Sequence, residues 1–167
     1  GSGGADTFLN FIEKELVPYT EQTYRTVPFR ILAGHSFGGL FVVHSMQQKP
    51  DLFQAGLAIS PALWWEGDLM LKRLDRLGNA QSPRSRFLFL SLGEEVDMMS
   101  QSFTTFLDAA NKLQAQNLFI ESLPVPGTDH LSTTIPAFYA GFRLLYPNWK
   151  ISRTLPNEGV EGVRAFY

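Results

Sequence analysis

Apolar residues along this chain follow two rhythms, one with helical spacing and one of short unbroken runs. Phe8, Phe11, Ile12, Leu16 and Tyr19 recur at helical intervals around Glu13, Lys14 and Glu15. That spacing predicts an amphipathic packing helix after the flexible lead at 1–4. Asp6-Thr7 offers it an N-cap, and Pro18 is expected to kink or close it. Residues 27–33 then read as a strand, and 40–46 as a helix that ends at Lys49, before Pro50-Asp51. A second, fully buried strand is expected over 54–60, closed by Pro61. Leu69, Met70, Leu74 and Leu77 mark a short helix whose other face carries Lys72, Arg73, Asp75 and Arg76.

Residues 78–85 form a polar turn region. Residues 86–92 are apolar at nearly every position, as a parallel strand covered by helices on both faces must be. Met99, Phe103, Phe106, Leu107, Ala110 and Leu113 give the clearest helical stripe in the chain. A fourth strand is expected over 117–123 and a last helix over 134–146, with Pro136 tolerated in its first turn and Pro147 ending it. The tail over 148–167 shows no clear period. Helices alternating with strands across short connections predict an α/β fold: a parallel sheet of four strands with helices on both faces.

Composition narrows the function classes. At 167 residues, 44% hydrophobic and 18% charged, the chain has the make-up of a single globular domain with a real core. A net charge of −2 with no Lys/Arg cluster argues against a nucleic-acid partner. No apolar run approaches the length of a membrane span. Zero cysteines exclude thiol catalysis, disulfides and cysteine-zinc sites. No metal or cofactor is implied. The chain opens on Gly1 with no visible targeting segment, which leaves both cytoplasm and periplasm open.

The candidate chemistry centres on Gly34-His35-Ser36-Phe37-Gly38-Gly39. Between a strand and a helix, Gly-x-Ser-x-Gly is the pattern of a nucleophile elbow. Such a turn lifts the serine hydroxyl above the sheet and sets it at a helix N-terminus. Free N–H groups and the helix dipole there favour a developing oxyanion. The flanking glycines are expected where a side chain would collide with the neighbouring strand. The plainer alternative is a glycine-rich turn made only for close packing.

A serine needs a base, and the base a carboxylate. Loops at the carboxyl ends of parallel strands converge on one crevice. Gly93-Glu94-Glu95-Val96-Asp97 follows the third strand, and Gly127-Thr128-Asp129-His130 follows the fourth. His130 is the expected base. His35 should point away from Ser36, and His44 reads as packed or half exposed. The acid is Glu95, with Asp97 as the alternative and Glu94 behind it, and a serine–histidine dyad stays open. Asp129 reads as a turn former. The backbone N–H of Phe37 is the expected first oxyanion donor. Trp64 and Trp65 follow the second strand and are expected to divide between substrate pocket and core.

The elbow with Leu40-Phe41, the later Ile-Ser-Pro-Ala-Leu-Trp-Trp (59–65), Leu-Gly-Glu-Glu (92–95), and Asp129-His130 followed by Pro-Ala-Phe-Tyr-Ala-Gly-Phe-Arg (136–143) carry a family likeness. Together they resemble the bacterial putative esterase family, α/β-hydrolases that include esterase D-like and enterochelin esterase-like proteins. The likeness runs from about Asp6 to Trp149. It implies a serine esterase acting on a small-molecule ester, with Ser36 as nucleophile, His130 as base and Glu95 as acid. It also implies that residues 1–149 are the C-terminal part of a hydrolase domain. Further strands would precede it and supply the second oxyanion donor, and 150–167 would lead to a further region. On that reading the strand entering the elbow has an open edge, through which a homodimer could form. An incomplete, non-catalytic module assembling through that edge, or an acyltransferase using the same serine, are the alternative functions.

Overall fold

The computed structural model describes residues 3–78, 82–115, 117–147 and 159–166. Four strands, β1 (Ile31–His35), β2 (Ala55–Ile59), β3 (Arg86–Leu92) and β4 (Leu118–Pro124), lie in the order β1-β2-β3-β4, and each neighbouring pair is parallel. Eight α-helices frame them among the described residues: α1 (Ala5–Phe11), α2 (Val17–Thr23), α3 (Phe37–Gln48), α4 (Trp65–Lys72), α5 (Leu74–Gly78), α6 (Asp97–Ala110), α7 (Thr134–Leu145) and α8 (Gly159–Phe166).

Side chains alternate between the faces of a strand, and that alternation divides the core. Ala58, Leu88 and Leu90 point to one face, against Val42, Val43 and Met46 of α3 and Phe103 and Phe106 of α6. Leu57, Ile59 and Phe89 point to the other, against Ala137 of α7. Both faces are therefore dry. β2 is buried along its whole length, which is why its sequence is continuously apolar. Helix α3 is buried at every position from Val42 to Gln47. Gly56 makes that close seat available, since a Cβ there would lie 2.4 Å from Met46 Sδ and 2.8 Å from Val42 Cγ1.

Several local expectations are corrected. Residues 5–23 do not close at Pro18: a π-helical turn, Ile12–Leu16, precedes it and the helix resumes through Thr23. The wider turn makes room for a proline ring that would press on the carbonyl four residues earlier. Asp6-Thr7 is not the N-cap. That position is Gly4, and Asp6 sits in the first turn. Of the apolar stripe, Ile12 is buried, with Leu9 from outside the stripe, against Leu52 and Phe53, whereas Phe8, Phe11, Leu16 and Tyr19 are exposed.

The first strand starts later than its apolar run. Val27 and Phe29 stay outside the sheet, because Pro28 has no N–H to give a ladder. At the strand entrance the Arg30 N–H donates to Gln54 Oε1 at 2.9 Å. Two helices, α4 and α5, replace the single one expected over 69–77. A helix, α8, occupies part of the tail, where two glycines in eight residues hide the helical period. The rest of that tail, the tail's start at 148–158, and the centre of the polar turn at 79–81 lie outside the described residues.

Candidate active site

Ser36 stands between the end of β1 and the start of α3, with φ +57° and ψ −118°. An L-residue holds such a conformation only when its surroundings enforce it. Here the enforcement is backbone. Ser36 N–H donates to Ile59 O at 2.9 Å, and Ser36 O accepts from Leu40 N at 2.9 Å and Ala62 N at 3.1 Å. The glycines do different work from one another. A Cβ on Gly34 would lie 2.3 Å from the carbonyl carbon and oxygen of Gly38, so the collision is within the turn and not with the neighbouring strand. Gly39 does face that strand: its Cβ would meet Ile59 O and Pro61 at 3.0 Å. Gly38 has open space. Phe37 heads α3 and is half exposed, so its N–H belongs to the helix's unpaired first turn.

The loops after β3 and β4 meet. His130 Nδ1 lies 3.1 Å from both carboxylate oxygens of Glu95, whose side chain is only 3% exposed. A carboxylate can only accept, so Nδ1 carries the proton and Nε2 presents its lone pair. The other acids in that loop do other things. Glu94 Oε1 accepts from Gly127 N at 2.8 Å, and Glu94 N donates to Thr128 O at 2.6 Å. Asp97 is exposed in the first turn of α6. Asp129 Oδ1 accepts from Ser132 N, Leu131 N and Ser132 Oγ. The Ser132 bonds first, then that from Leu131, hold its carboxyl below the usual range. The loops can approach because Gly93 has no side chain: a Cβ there would sit 2.8 Å from Thr128 O.

The other histidines have separate places. His44 is buried on α3, its Nε2 2.9 Å from Asp6 Oδ1. His35 turns to the β4–α7 loop, and its Nε2–H donates to His130 O at 2.6 Å, the two rings 4.5 Å apart. Sequence reading missed this contact, because nothing local marks a bond between residues 95 positions apart.

Phe37, Trp64 and Trp65 form an aromatic cluster with ring centroids 5.1–6.0 Å apart. Trp65 and Phe37 border a cleft of about 770 Å³, while Trp64 Nε1 is buried without a hydrogen-bond partner. Just beyond, Glu66, Gly67 and Asp68 form a left-handed turn inside α4, with φ between 50° and 61°.

Comparison with known proteins gives the family and the fold type. Over 137 residues the chain is 31% identical to ferri-bacillibactin esterase BesA of Bacillus subtilis, covering 78% of this chain and 47% of that protein. It is 42% identical over 77 residues to the siderophore enterobactin esterase of Emericella nidulans, covering 44% of this chain and 25% of that one. Among solved structures it superposes on an IroE-like serine hydrolase from Shewanella oneidensis with a TM-score of 0.82 at 27% identity, over 99% of this chain and 56% of that one. It superposes on the BES protein of Bacillus cereus with a TM-score of 0.79 at 27% identity, over 85% and 55%. The chain thus spans about half the length of these relatives or less. The four-stranded parallel sheet is of the α/β-hydrolase type that these hydrolases share. The family model described as "Putative esterase" matches residues 1–119, and the chain belongs to that family.

Proposed function

We propose that this chain carries the nucleophile, base and acid of a serine ester hydrolase. The observation that supports it most is the Glu95–His130 pair, bonded through the His130 carbonyl to His35, the residue before an enforced positive-φ serine turn. Ser36 Oγ attacks the ester carbonyl while His130 Nε2 takes its proton, and Glu95 stabilises the imidazolium. The Phe37 N–H supports the oxyanion. Collapse of the tetrahedral species returns the proton to the departing alcohol and leaves an acyl-enzyme on Ser36. Water, deprotonated by His130, then releases the acid. Trp65, packed on the Phe37 ring next to the serine, would hold the acyl or alcohol part, with Trp64 packed behind. Because the named relatives are siderophore esterases, siderophore-type esters are the first substrates to try.

A fluorophosphonate probe tests the assignment, since it reports a nucleophilic serine without requiring a known substrate. Wild-type protein should be labelled at Ser36. Glu95→Gln should slow labelling on the order of 10²–10⁴-fold, because an amide no longer enforces the Nδ1–H tautomer. Equal labelling of Ser36→Ala would overturn it, and full-rate labelling of Asp97→Asn should separate the two acids.

A second reading concerns assembly. β1 is an edge strand of the described sheet, and exposed Val27, Phe29 and Tyr24 lie just before it. That edge supports pairing with a second copy of the chain.

A further inference from the structure

The loop that carries His130 joins β4 to α7 and has no ladder of its own to hold it. Beyond the bond from Val125 N to Leu92 O at its start, four described contacts pin it. Two come from Glu94, through Thr128 O and the Gly127 N–H. Glu95 holds the imidazole at Nδ1. The fourth is the His35 Nε2–H bond to the carbonyl of His130 itself. The first three all come from the β3–α6 loop. Among the described residues, His35 alone ties the His130 loop to the strand that leads into Ser36.

We propose that His35 is a positioning residue, holding the His130 backbone so that its Nε2 is set relative to Ser36. This rests on the reading of Ser36 and His130 as nucleophile and base. With the ring fixed at Nδ1 and the backbone fixed at O, little rotation about the His130 side chain remains. His35 and Ser36 are adjacent in the chain, and the Ser36 turn is itself fixed to β2. The gap between nucleophile and base is therefore set by one hydrogen bond and one peptide unit, not by the summed tolerances of the sheet. A carbonyl accepts only, so His35 must carry its proton on Nε2. A side chain with an N–H at similar reach should serve as well. One of the same bulk without the donor should not.

The test compares His35→Phe with His35→Gln in the 167-residue chain, each alone and with His130→Ala. The readouts are the fluorophosphonate labelling rate, the thermal midpoint, and the downfield proton resonance of an imidazole Nδ1–H bonded to a carboxylate. His35→Phe should slow labelling about 10–10²-fold, the scale of an ångström-level misplacement. It should also broaden the downfield proton, while His35→Gln stays within about threefold of wild type. In the His130→Ala background His35→Phe should have no further effect. Unchanged labelling in His35→Phe, or the same fold-loss with and without His130, would overturn the proposal. Equal labelling of wild type and His130→Ala would instead remove the base assignment on which it rests. Should His35→Phe lose its cooperative unfolding transition, His35→Met carries the same comparison.

Discussion

Gly34 and Gly38 look equivalent around Ser36 but meet different surroundings. A methyl on Gly34 would drive into the Gly38 backbone at 2.3 Å, a distance no side-chain adjustment relieves. A methyl on Gly38 would meet nothing within 4 Å. Gly34→Ala is therefore expected to lose labelling of Ser36 and several degrees of thermal midpoint. Gly38→Ala should fold as wild type does and keep the reactive serine. Calorimetry and probe labelling on the two variants check this directly. At this scale the sequence was informative about residue types and weak about partners. The strand–turn–helix context singled out Ser36, and the Asp129 turn was readable because its bonds are local. The order Glu95, Asp97, Glu94 rested on position in the loop alone, since the roles of these carboxylates depend on which one faces a loop more than thirty residues away.

Among the elements, β3 was readable to the residue because both its faces are covered and its apolar run has sharp polar ends. In α1 the stripe was drawn beside the buried face, on Phe8 and Phe11 where Leu9 is the buried residue, and the π-helical turn breaks the 3.6-residue period for the positions beyond Ile12. Helix α7 shows how tightly the layers are set. Gly141 lies over the sheet where a Cβ would be 2.7 Å from Phe89 Cδ1 and 3.1 Å from Leu57 Cδ2. Gly141→Ala must push α7 off the sheet or turn the Phe89 ring, at a cost of about 1–3 kcal/mol. Since α7 follows the His130 loop, chemical denaturation should show that loss with a slower labelling rate. A variant equal to wild type in stability would mean that the layer repacks freely.

For the whole molecule, the proposed pairing through the β1 edge is tested in solution. Static light scattering should show mass rising with concentration. Ala33→Lys, which puts a charge on that exposed edge position, should shift the rise to higher concentration. A mass independent of concentration would remove the dimer reading and leave the esterase proposal untouched. No helix among the described residues is long and apolar enough to cross a membrane.

The bonds from Ser36 N to Ile59 O and from Ala62 N to Ser36 O also have a meaning in time. The strained serine turn has no support until β2 has docked beside β1, so it is built with the first strand pair. The loop bearing His130 can be pinned only after β3 and β4 have joined, and its bond to His35 closes 95 residues of chain. A refolding chain should thus assemble its nucleophile before its base. Pulsed hydrogen exchange should find the Ser36 amide protected earlier than that of Thr133, which bonds Asp129 O within the late loop.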